Sequence, residues 1–438
     1  MRTNYQPFKE SIPIGGLCLS ILFSVLGSIG TAQGVFNNGA SIVLTSGSNI
    51  YVDGGQAGNF KNQDNGAFTG TVNNSGTISV SGDWVNNSTA FVFPTNSGTV
   101  SLIGGNQAIK GSTTTYFNNL NLSGSGVKTL EINTLTGGGF ASPTGVLALN
   151  SLPLDLNLHT LLVNNPNTTA VTRTTGFIIS ETDTANNPSV IEWNAGSVNG
   201  TYVFPFGLLT TPNYIPLTIS KSSGNTAMRV STRMTPNSDN APLESTVTTM
   251  YSALIGGSGE AAAVIDRWYD ISSATAFTGA VDFTYRGAEN TTTFAPTGTF
   301  GAQNWNGSGW LAVTGNGQGV TSGTAVVSIP DQALGGASAT PWVLSSIGAA
   351  LFVEELAGNS LLIYPNPASD AVSISFPDYL SKEDFTMSLY DESGKLVIQE
   401  VVQSVQPTIF TDALRNGIYY LNVLCKEHVF VCKMVIQH

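Results

Sequence analysis

The chain has 438 residues and a net charge of −12, and only 10% of its residues are charged, against roughly 25% in typical soluble domains. A length prior of roughly 100–200 residues per domain suggests about two to four domains. No cluster of Lys and Arg occurs, which argues against a phosphate-binding surface for nucleic acid. Its 48 glycines, with frequent Thr and Val, favour strands and turns over helices.

Residues 1–32 have the pattern of a secretory signal peptide. Two basic residues near the N-terminus precede an apolar stretch at residues 12–29. Gly30 and Ala32 fit the small-residue positions of a signal-peptidase site, so that Gln33 would begin the mature chain. A retained membrane anchor is the alternative. No other window has the ~18 apolar residues of a transmembrane helix, so we expect an exported mature chain without one.

Residues 33–200 contain short alternating runs separated by Asn, Gly and Ser. The run "GTISVSGDWVNNS" (residues 76–88) is typical of them. Such runs are too short for helices and have the alternation of strands. Asn-Asn pairs recur along the region, and Asn suits the corners between strands because it tolerates the left-handed backbone region. The pattern predicts an irregular β-solenoid with amide ladders at its corners; ordinary antiparallel hairpins are the alternative.

Residues 201–348 have longer apolar strands punctuated by proline and glycine. Seven or eight such strands in succession predict an antiparallel β-sandwich. The region has four tryptophans, which are expected to pack in its core rather than to form a sugar-stacking surface: Trp268, Trp305, Trp310 and Trp342. Residues 349–360 hold two glutamates and a glycine between strand-rich regions and are predicted to be a linker; a crossing strand is the alternative.

Residues 361–438 form a separate compact pattern. The segment "AVSISF" (residues 371–376) alternates apolar and polar side chains, as a half-buried strand does. Seven strands within 78 residues predict a small immunoglobulin-like sandwich. Cys425 and Cys432 lie in its last hairpin, and a disulfide between them is a candidate because exported proteins can form disulfides. The strand register that would decide this cannot be read from the sequence.

The sequence contains few groups suited to catalysis. It has three histidines, no G-x-S-x-G elbow, and no H-x-x-x-H or C-x-x-C motif. A serine triad or a zinc site would need such arrangements. His159 alternates with leucines on a predicted strand and is expected to be structural or at the surface. We therefore predict no catalytic residue, no metal site and no cofactor.

A polysaccharide lyase or hydrolase built on a solenoid would need clustered carboxylates. The carboxylates of residues 33–200 are widely separated. Asp64 and Asp83, 19 positions apart, are near one solenoid rung and could stack. Solvated corners are the simpler interpretation of these residues.

Four blocks near the C-terminus form a recognisable set. They are "YPNPASD" (364–370), "LYDESGKLV" (389–397), "LRNGIYYLNVL" (414–424) and a final "VFVCKMVI" (429–436). In this order and spacing, they resemble the C-terminal sorting domain (type A) of the type IX secretion system. The residues that carry the resemblance are Tyr364, Pro365, Asn366, Pro367, Ala368, Asp370, Asp391, Gly394, Lys395, Asn416, Gly417 and Tyr419.

The resemblance implies a Bacteroidetes protein that crosses the inner membrane by its signal peptide and the outer membrane through the type IX translocon. It also implies that a surface sortase removes the domain and then releases the cargo or joins it to lipopolysaccharide. The final block departs from the family pattern. Its last strand usually ends in lysine-rich sequence, and here it reads Cys432-Lys433-Met434, which leaves the recognition surface open.

The other residues resemble Gly/Asn-rich surface β-proteins in the general character of their sequence. We therefore expect a secreted or surface-bound, non-enzymatic β-protein, adhesin-like or a surface-layer component. An extracellular glycan is a candidate ligand. The alternative is a carbohydrate-active enzyme with a β-solenoid cleft, and an inert stalk for a partner is a third possibility.

Overall fold

The structure is a computed structural model that divides into two compact units, Met1–Gly348 (unit 1) and Ala349–His438 (unit 2). It describes residues 34–89, 97–138, 143–235, 239–244, 246–248, 250, 261–293, 296–347, 362–375, 385–402, 407–425 and 428–438. These residues form strands, turns and three 3₁₀ helices (Gly55–Ala57, Ala261–Ala263 and Gly287–Glu289), without an α-helix among them. The all-β prediction is confirmed. The signal-peptide residues Gly30, Ala32 and Gln33 and the linker 349–360 lie outside the described ranges.

Unit 1 begins with short strands that wind into a solenoid. In chain order they are β1 (Val35–Asn38), β2 (Ser41–Leu44), β3 (Asn49–Val52), β4 (Phe60–Gln63), β5 (Thr71–Asn74), β6 (Thr77–Val80), β7 (Trp84–Asn87), β8 (Thr99–Leu102), β9 (Gln107–Gly111), β10 (Thr115–Tyr116), β11 (Asn119–Leu122), β12 (Lys128–Leu130), β13 (Thr134–Thr136), β14 (Leu147–Ala148), β15 (Pro153–Asp155), β16 (Thr160–Val163), β17 (Val171–Thr172), β18 (Phe177–Ile179) and β19 (Val190–Gly196).

These strands stack in parallel on three faces. One sheet has the order β1-β4-β7-β9-β12-β15-β18, and another the order β3-β6-β8-β11-β14-β17. The third face consists of the pair β2-β5 and the run β10-β13-β16-β19. Because successive strands of the chain belong to successive faces, each coil packs in parallel on the coil before it. The predicted solenoid is confirmed.

Alternation of side chains explains why such short runs become strands. In β6, Ile78 and Val80 are fully buried, and the residues between them are partly exposed. Phe60 of β4 and Trp84 of β7 are register partners whose stacked rings have centroids 4.5 Å apart. Burying a large apolar side chain contributes about 1.5–3 kcal/mol. Stacked coils repeat this gain at every turn of the solenoid.

An amide ladder runs inside the solenoid. Asn37 Nδ2 donates to Asn62 Oδ1 (2.7 Å), and Asn62 Nδ2 donates to Asn86 Oδ1 (3.2 Å). All three side chains are buried, so their amides satisfy one another where water cannot. We call Asn37, Asn62 and Asn86 the Asn ladder. It confirms the ladder predicted from the recurring asparagines.

The remaining strands of unit 1 extend the third face of the solenoid. They are β20 (Gly200–Phe204), β21 (Leu217–Ser223), β22 (Thr226–Met234), β23 (Arg267–Arg286), β24 (Thr299–Asn304), β25 (Thr314–Gln318) and β26 (Thr324–Ser346). β19 pairs in parallel with β16 on one side and antiparallel with β22 on the other. One 11-stranded sheet therefore passes from parallel to antiparallel pairing at β19. The predicted boundary at residue 200 lies inside this sheet.

A sharp bend in β23 gives the middle region two layers. The strand pairs with β22 along its first part and with β21 along its second part. Its register shifts between Ile271 and Phe277, and such bulges bend a strand. Across the bend, the Tyr269 hydroxyl donates to the Thr284 carbonyl oxygen (2.8 Å). The antiparallel region thus packs layer on layer within a single hydrogen-bonded sheet.

The four tryptophans of this region are buried, with at most 8% of any residue exposed. Trp268, Trp305 and Trp310 form a small apolar cluster, whereas Trp342 belongs to the main core of unit 1. The prediction of core packing is confirmed, and these rings are not a sugar-stacking surface.

Unit 2 has seven described strands in two antiparallel sheets. They are β27 (Leu362–Tyr364), β28 (Ala371–Ser375), β29 (Phe385–Asp391), β30 (Leu396–Val402), β31 (Thr408–Phe410), β32 (Gly417–Cys425) and β33 (His428–Ile436). The sheet orders are β27-β28-β31 and β30-β29-β32-β33. Val372 and Ile374 of one sheet share a core with Met387 and Leu421 of the other. This matches the predicted seven-stranded sandwich.

The candidate disulfide is corrected by the register of the last hairpin. Cys425 pairs with His428, whereas Cys432 pairs with Leu421. The cysteines are therefore offset by four positions, or about 14 Å at ~3.4 Å per residue. A disulfide needs Cα atoms within about 7 Å. Cys432 is a free thiol.

Candidate functional site

A polar surface lies where β19, β22 and β23 run side by side, on the sheet face opposite the main core. Arg229 pairs with Glu192 of β19 on one side and with Ser272 of β23 on the other. In the next row, Ser231 pairs with Asp270. Because side chains alternate along a strand, these polar residues share one face while their neighbours enter the core. Directly opposed side chains are about 5 Å apart, so they can interact across strands.

The loop after β22 is attached to this face by a buried ion pair. Arg233 Nε and Nη2 donate to Glu244 Oε1 at 3.0 and 2.7 Å. The other oxygen of Glu244 accepts the backbone N–H of Asn186. The two charged side chains are 0% and 5% exposed. These contacts hold the Glu244 side chain in a fixed position above the strands.

Between the Glu244 side chain and the strands lies a cavity of about 150 Å³, which we call the polar cavity. Its lining includes Asn186, Val190, Arg229, Ser231, Glu244, Asp270 and Ser272. Asp270 Oδ2 accepts a hydrogen bond from the Ser231 hydroxyl (3.2 Å). Burial and the nearby Glu244 raise the pKa of Asp270 to about 7, against the opposing effects of Ser231 and Arg233. Its carboxyl is therefore poised between the neutral and charged forms near neutral pH.

A second charged group, the Arg267 network, consists of Arg267, Glu181, Glu289 and Arg286. Arg267 donates to Glu289 through Nε and Nη2 and to Glu181 through Nη1, each at 2.7 Å. Arg286 Nε also donates to Glu289 (2.7 Å). Burial alone would lower the pKa of Arg267, and the two glutamates raise it by more. Since Arg267 and Arg286 are the two ends of β23, the network holds the bent strand closed.

The structure does not bring the predicted pair Asp64 and Asp83 together. Phe60 is the register partner of Trp84, so Asp83 lies beside residue 59 and Asp64 beside residue 88. The offset is five positions, or about 16 Å at ~3.3 Å per residue, beyond the roughly 5–10 Å between the carboxyl groups of glycosidases.

Both carboxylates also have structural partners. Hydrogen bonds from Ser88 and Thr89 lower the pKa of Asp64. Asp83 forms an ion pair with Lys110 (2.5 Å). Neither is arranged as a catalytic acid or base. Among the residues that the structure describes, no group of three His, Cys, Asp or Glu could hold a metal ion.

In unit 2, the "YPNP" residues lie against the last strand. Asn366 donates through Nδ2 to the Lys433 carbonyl (3.0 Å), and its Oδ1 accepts the Val435 N–H (2.8 Å). Ala368 is buried and donates its N–H to the Val435 carbonyl (2.9 Å). Tyr364, Pro365, Pro367 and Asp370 are exposed. The first block of the motif is thus joined to the end of the chain.

The other motif residues form turns and corners. Asp391 Oδ1 accepts the backbone N–H groups of Ser393 (2.9 Å) and Lys395 (3.0 Å), in a turn where Gly394 has φ +80°. The Tyr419 hydroxyl donates to the Arg415 carbonyl (3.0 Å). Asn416 Oδ1 accepts the His438 N–H (2.8 Å), and Gly417 begins β32. Asn366, Ala368, Asp391, Asn416 and Tyr419 therefore have structural roles in unit 2.

Residues 362–437 match the family model of the "Secretion system C-terminal sorting domain". This confirms the resemblance drawn from the four blocks and indicates a secreted or cell-surface protein. No curated protein matches the chain. No helix in the described part of the chain is long and apolar enough to cross a membrane.

Three solved structures show weak similarity. A β-glucuronidase of an uncultured Clostridium sp. is 8% identical, with 39% of this chain and 34% of that chain covered and a TM-score of 0.15. PorZ, described as an essential bacterial surface component of the type-IX secretion system of Porphyromonas gingivalis, is 11% identical, with 55% and 39% covered and a TM-score of 0.16. A polysaccharide lyase is 9% identical, with 56% and 40% covered and a TM-score of 0.14.

The chain thus spans only 34–40% of the length of these three proteins.

Proposed function

We propose that unit 1 is the cargo of a type IX secretion route and acts outside the cell as a non-enzymatic, adhesin-like or surface-layer protein. The observation that carries the proposal is the sorting domain at residues 362–437. In this route a signal peptide takes the chain across the inner membrane of a Bacteroidetes cell, and the translocon takes it across the outer membrane. A surface sortase then removes unit 2, and the cargo is released or joined to lipopolysaccharide.

Apart from Asp270, the charged side chains described at the candidate sites of unit 1 have structural partners, and this supports a binding role over catalysis. Asp64, Asp83 and the Arg267 network are engaged in hydrogen bonds or ion pairs that hold the fold together. Glu244 uses one oxygen for Arg233 and the other for a backbone N–H. A nucleophile or general base needs a carboxylate oxygen that is open to substrate.

Deletion of residues 361–438 in the native host tests the secretion route. We expect the truncated protein to accumulate in the periplasm and to disappear from the cell surface and medium. Val401→Ser, which changes a residue of unit 2 that is 69% exposed and outside the motif, should leave export unchanged. Normal arrival of the truncated chain outside the cell would refute the route.

The binding role needs a separate experiment on the mature, secreted protein. We expect it to be retained on immobilised glycans or on intact cell surfaces without changing them. Release of new reducing ends from those glycans, with no stable binding, would contradict the adhesin-like role.

A carbohydrate-active enzyme remains the second candidate, and one observation favours it. Asp270 lines a cavity and has a pKa of about 7, as a general acid often does. If this candidate is correct, Asp270→Asn will abolish release of reducing ends from a plant or algal polysaccharide. The earlier candidates Asp64 and Asp83 are too far apart for that role.

A further inference from the structure

We propose that the polar cavity is a subsite for one neutral sugar ring, bound through its hydroxyl groups by Asp270, Arg229 and the serines between them. This deepens the proposed adhesin-like function, on which it rests, by giving that function a site and a ligand class.

The charge balance of the cavity favours a neutral ligand over an anionic one. Arg229 is paired with Glu192, and Arg233 is paired with Glu244, so both pairs are neutral overall. Asp270 has no ion-pair partner among the described residues. An anion would be repelled by the carboxyl group of Asp270, which has no cation to balance it. The hydroxyl groups of a neutral ring can donate hydrogen bonds to the same carboxyl group without that repulsion.

Donors and acceptors with open positions face the same space. Asp270 uses Oδ2 for Ser231, while Oδ1 accepts no hydrogen bond from the described part of the chain. Arg229 uses Nη1 for Glu192, and its Nε and Nη2 donate to no described group. The Ser272 hydroxyl likewise has no described partner. Adjacent hydroxyls of a sugar can donate to Asp270 and accept from Arg229 at once, which is how polar groups give a site specificity.

The cavity has the size and rigidity that a sugar ring needs. Its volume of about 150 Å³ equals that of roughly five water molecules. Two strands form one side, and Glu244, fixed by Arg233, forms the other. Val190 adds an apolar contact for ring carbons. The Arg229 side chain remains 44% exposed, so the cavity opens to solvent there and a longer glycan can continue outwards.

The test uses the mature chain and defined sugars. Glucose, galactose, mannose and N-acetylglucosamine are the neutral probes, and glucuronic acid is the anionic one. Binding is measured by ligand-observed NMR and by calorimetry. We expect at least one neutral sugar to bind and glucuronic acid to bind at least tenfold more weakly. Asp270→Ala and Arg229→Ala should each weaken the neutral sugar at least tenfold, because each removes a charge-assisted hydrogen bond.

Asp282→Ala is the matched control. Asp282 lies on the same strand and accepts a hydrogen bond from Ser328 (2.6 Å) across the sheet, as Asp270 does from Ser231. It is exposed and does not line the cavity. Its substitution should leave sugar affinity unchanged. Circular dichroism and thermal unfolding establish that each variant is folded.

Three outcomes would overturn the inference. They are preferential binding of glucuronic acid, equal affinity of the Asp270→Ala and wild-type chains, and absence of binding by every probe. If the chain still binds cells or immobilised glycans in these cases, the adhesin-like function stands and only the cavity is excluded. If it binds no cell surface or glycan at all, the proposed function itself fails.

Discussion

Arg267 illustrates how unit 1 tolerates buried charge. Its guanidinium group is fully buried and contacts two glutamates. Burial of an ion pair adds little net stability, but removal of one partner leaves an uncompensated buried charge. The importance of Arg267 is therefore best measured by substitution.

We predict that Arg267→Met lowers the free energy of unfolding by roughly 3–5 kcal/mol, because Glu181 and Glu289 lose their shared partner. Urea unfolding of the mature chain, followed by tryptophan fluorescence, measures this. Arg229→Met is the control, since its ion pair with Glu192 is partly exposed and contributes at most about 1 kcal/mol. Equal losses for both variants would contradict the prediction.

Asp270 should make stability depend on pH. Its carboxyl titrates near pH 7 in the folded chain and near 3.8 when unfolded. Between these values the folded state binds more protons, so this group's contribution to stability falls as pH rises from about 4 to 7. Glu244 opposes ionisation of Asp270, and Arg233 favours it.

We therefore predict that Asp270→Asn raises the melting temperature relative to wild type at pH 8 and changes it much less at pH 4. Differential scanning calorimetry at both pH values gives the comparison. The same shift at both pH values would show that packing, rather than ionisation, separates the two chains.

Individual site residues were the least predictable feature. The 19-position spacing of Asp64 and Asp83 suggests that they stack, but the register places them at opposite ends of paired strands. Asp270 contacts Ser231, which is 39 positions away in the sequence, and no local sequence pattern predicts such a contact. The available signal was the occurrence of four arginines, at positions 229, 233, 267 and 286, in a chain poor in charge.

At the level of the element, the Asn ladder ties neighbouring coils together. Asn62 is fully buried and uses both ends of its amide, accepting from Asn37 and donating to Asn86 and to the Gly70 carbonyl (3.0 Å). A buried amide left without its partner costs about 1–3 kcal/mol.

We predict that Asn62→Ala destabilises unit 1 by roughly 2–4 kcal/mol, because it removes three hydrogen bonds of a fully buried amide, each worth about 0.5–1.5 kcal/mol. Asn38→Ala, on an exposed face, removes a single bond from Gln63 Nε2 and should change stability by less than about 1 kcal/mol. Thermal melts of both variants, followed by circular dichroism, decide this. A loss for Asn62→Ala no larger than that for Asn38→Ala would remove the ladder as a stabilising feature.

Strands were more predictable than their partners. Alternating side chains mark a strand because they reflect its two faces. Register depends on contacts between distant segments, so the sequence left the pairing of Cys425 and Cys432 open. The recurring asparagines were informative because an amide can both donate and accept, which suits a repeated position in stacked coils.

At the scale of the whole molecule, β19 joins the solenoid of unit 1 to its antiparallel region. Ile191 and Trp193 of this strand lie in the same core as Tyr202 and Phe204, beyond the predicted boundary at residue 200. Trp193 contacts both aromatic rings edge-on, with centroids 5.2 and 5.6 Å away. The sequence pattern changes near residue 200 because strand pairing changes there from parallel to antiparallel. The hydrophobic core of unit 1 continues across this boundary.

We predict that residues 33–200 alone do not fold cooperatively, because β19 loses β22 and its aromatic residues lose their neighbours. Residues 33–348 should fold as a unit. Size-exclusion chromatography and thermal melts of the two fragments test this. A sharp unfolding transition for the shorter fragment would show that the solenoid is independent.

The position of β26 affects how unit 1 responds to force. Ser346 ends this strand, and the residues just before it are hydrogen-bonded to β23 on one side and to β24 on the other. If the cargo is tethered to a cell through its C-terminal end, tension enters at Ser346 and pulls along the strand. Both ladders then resist in shear, so many bonds must break together. Forced unfolding is governed by the unfolding rate, and the tethered end is therefore expected to be mechanically resistant.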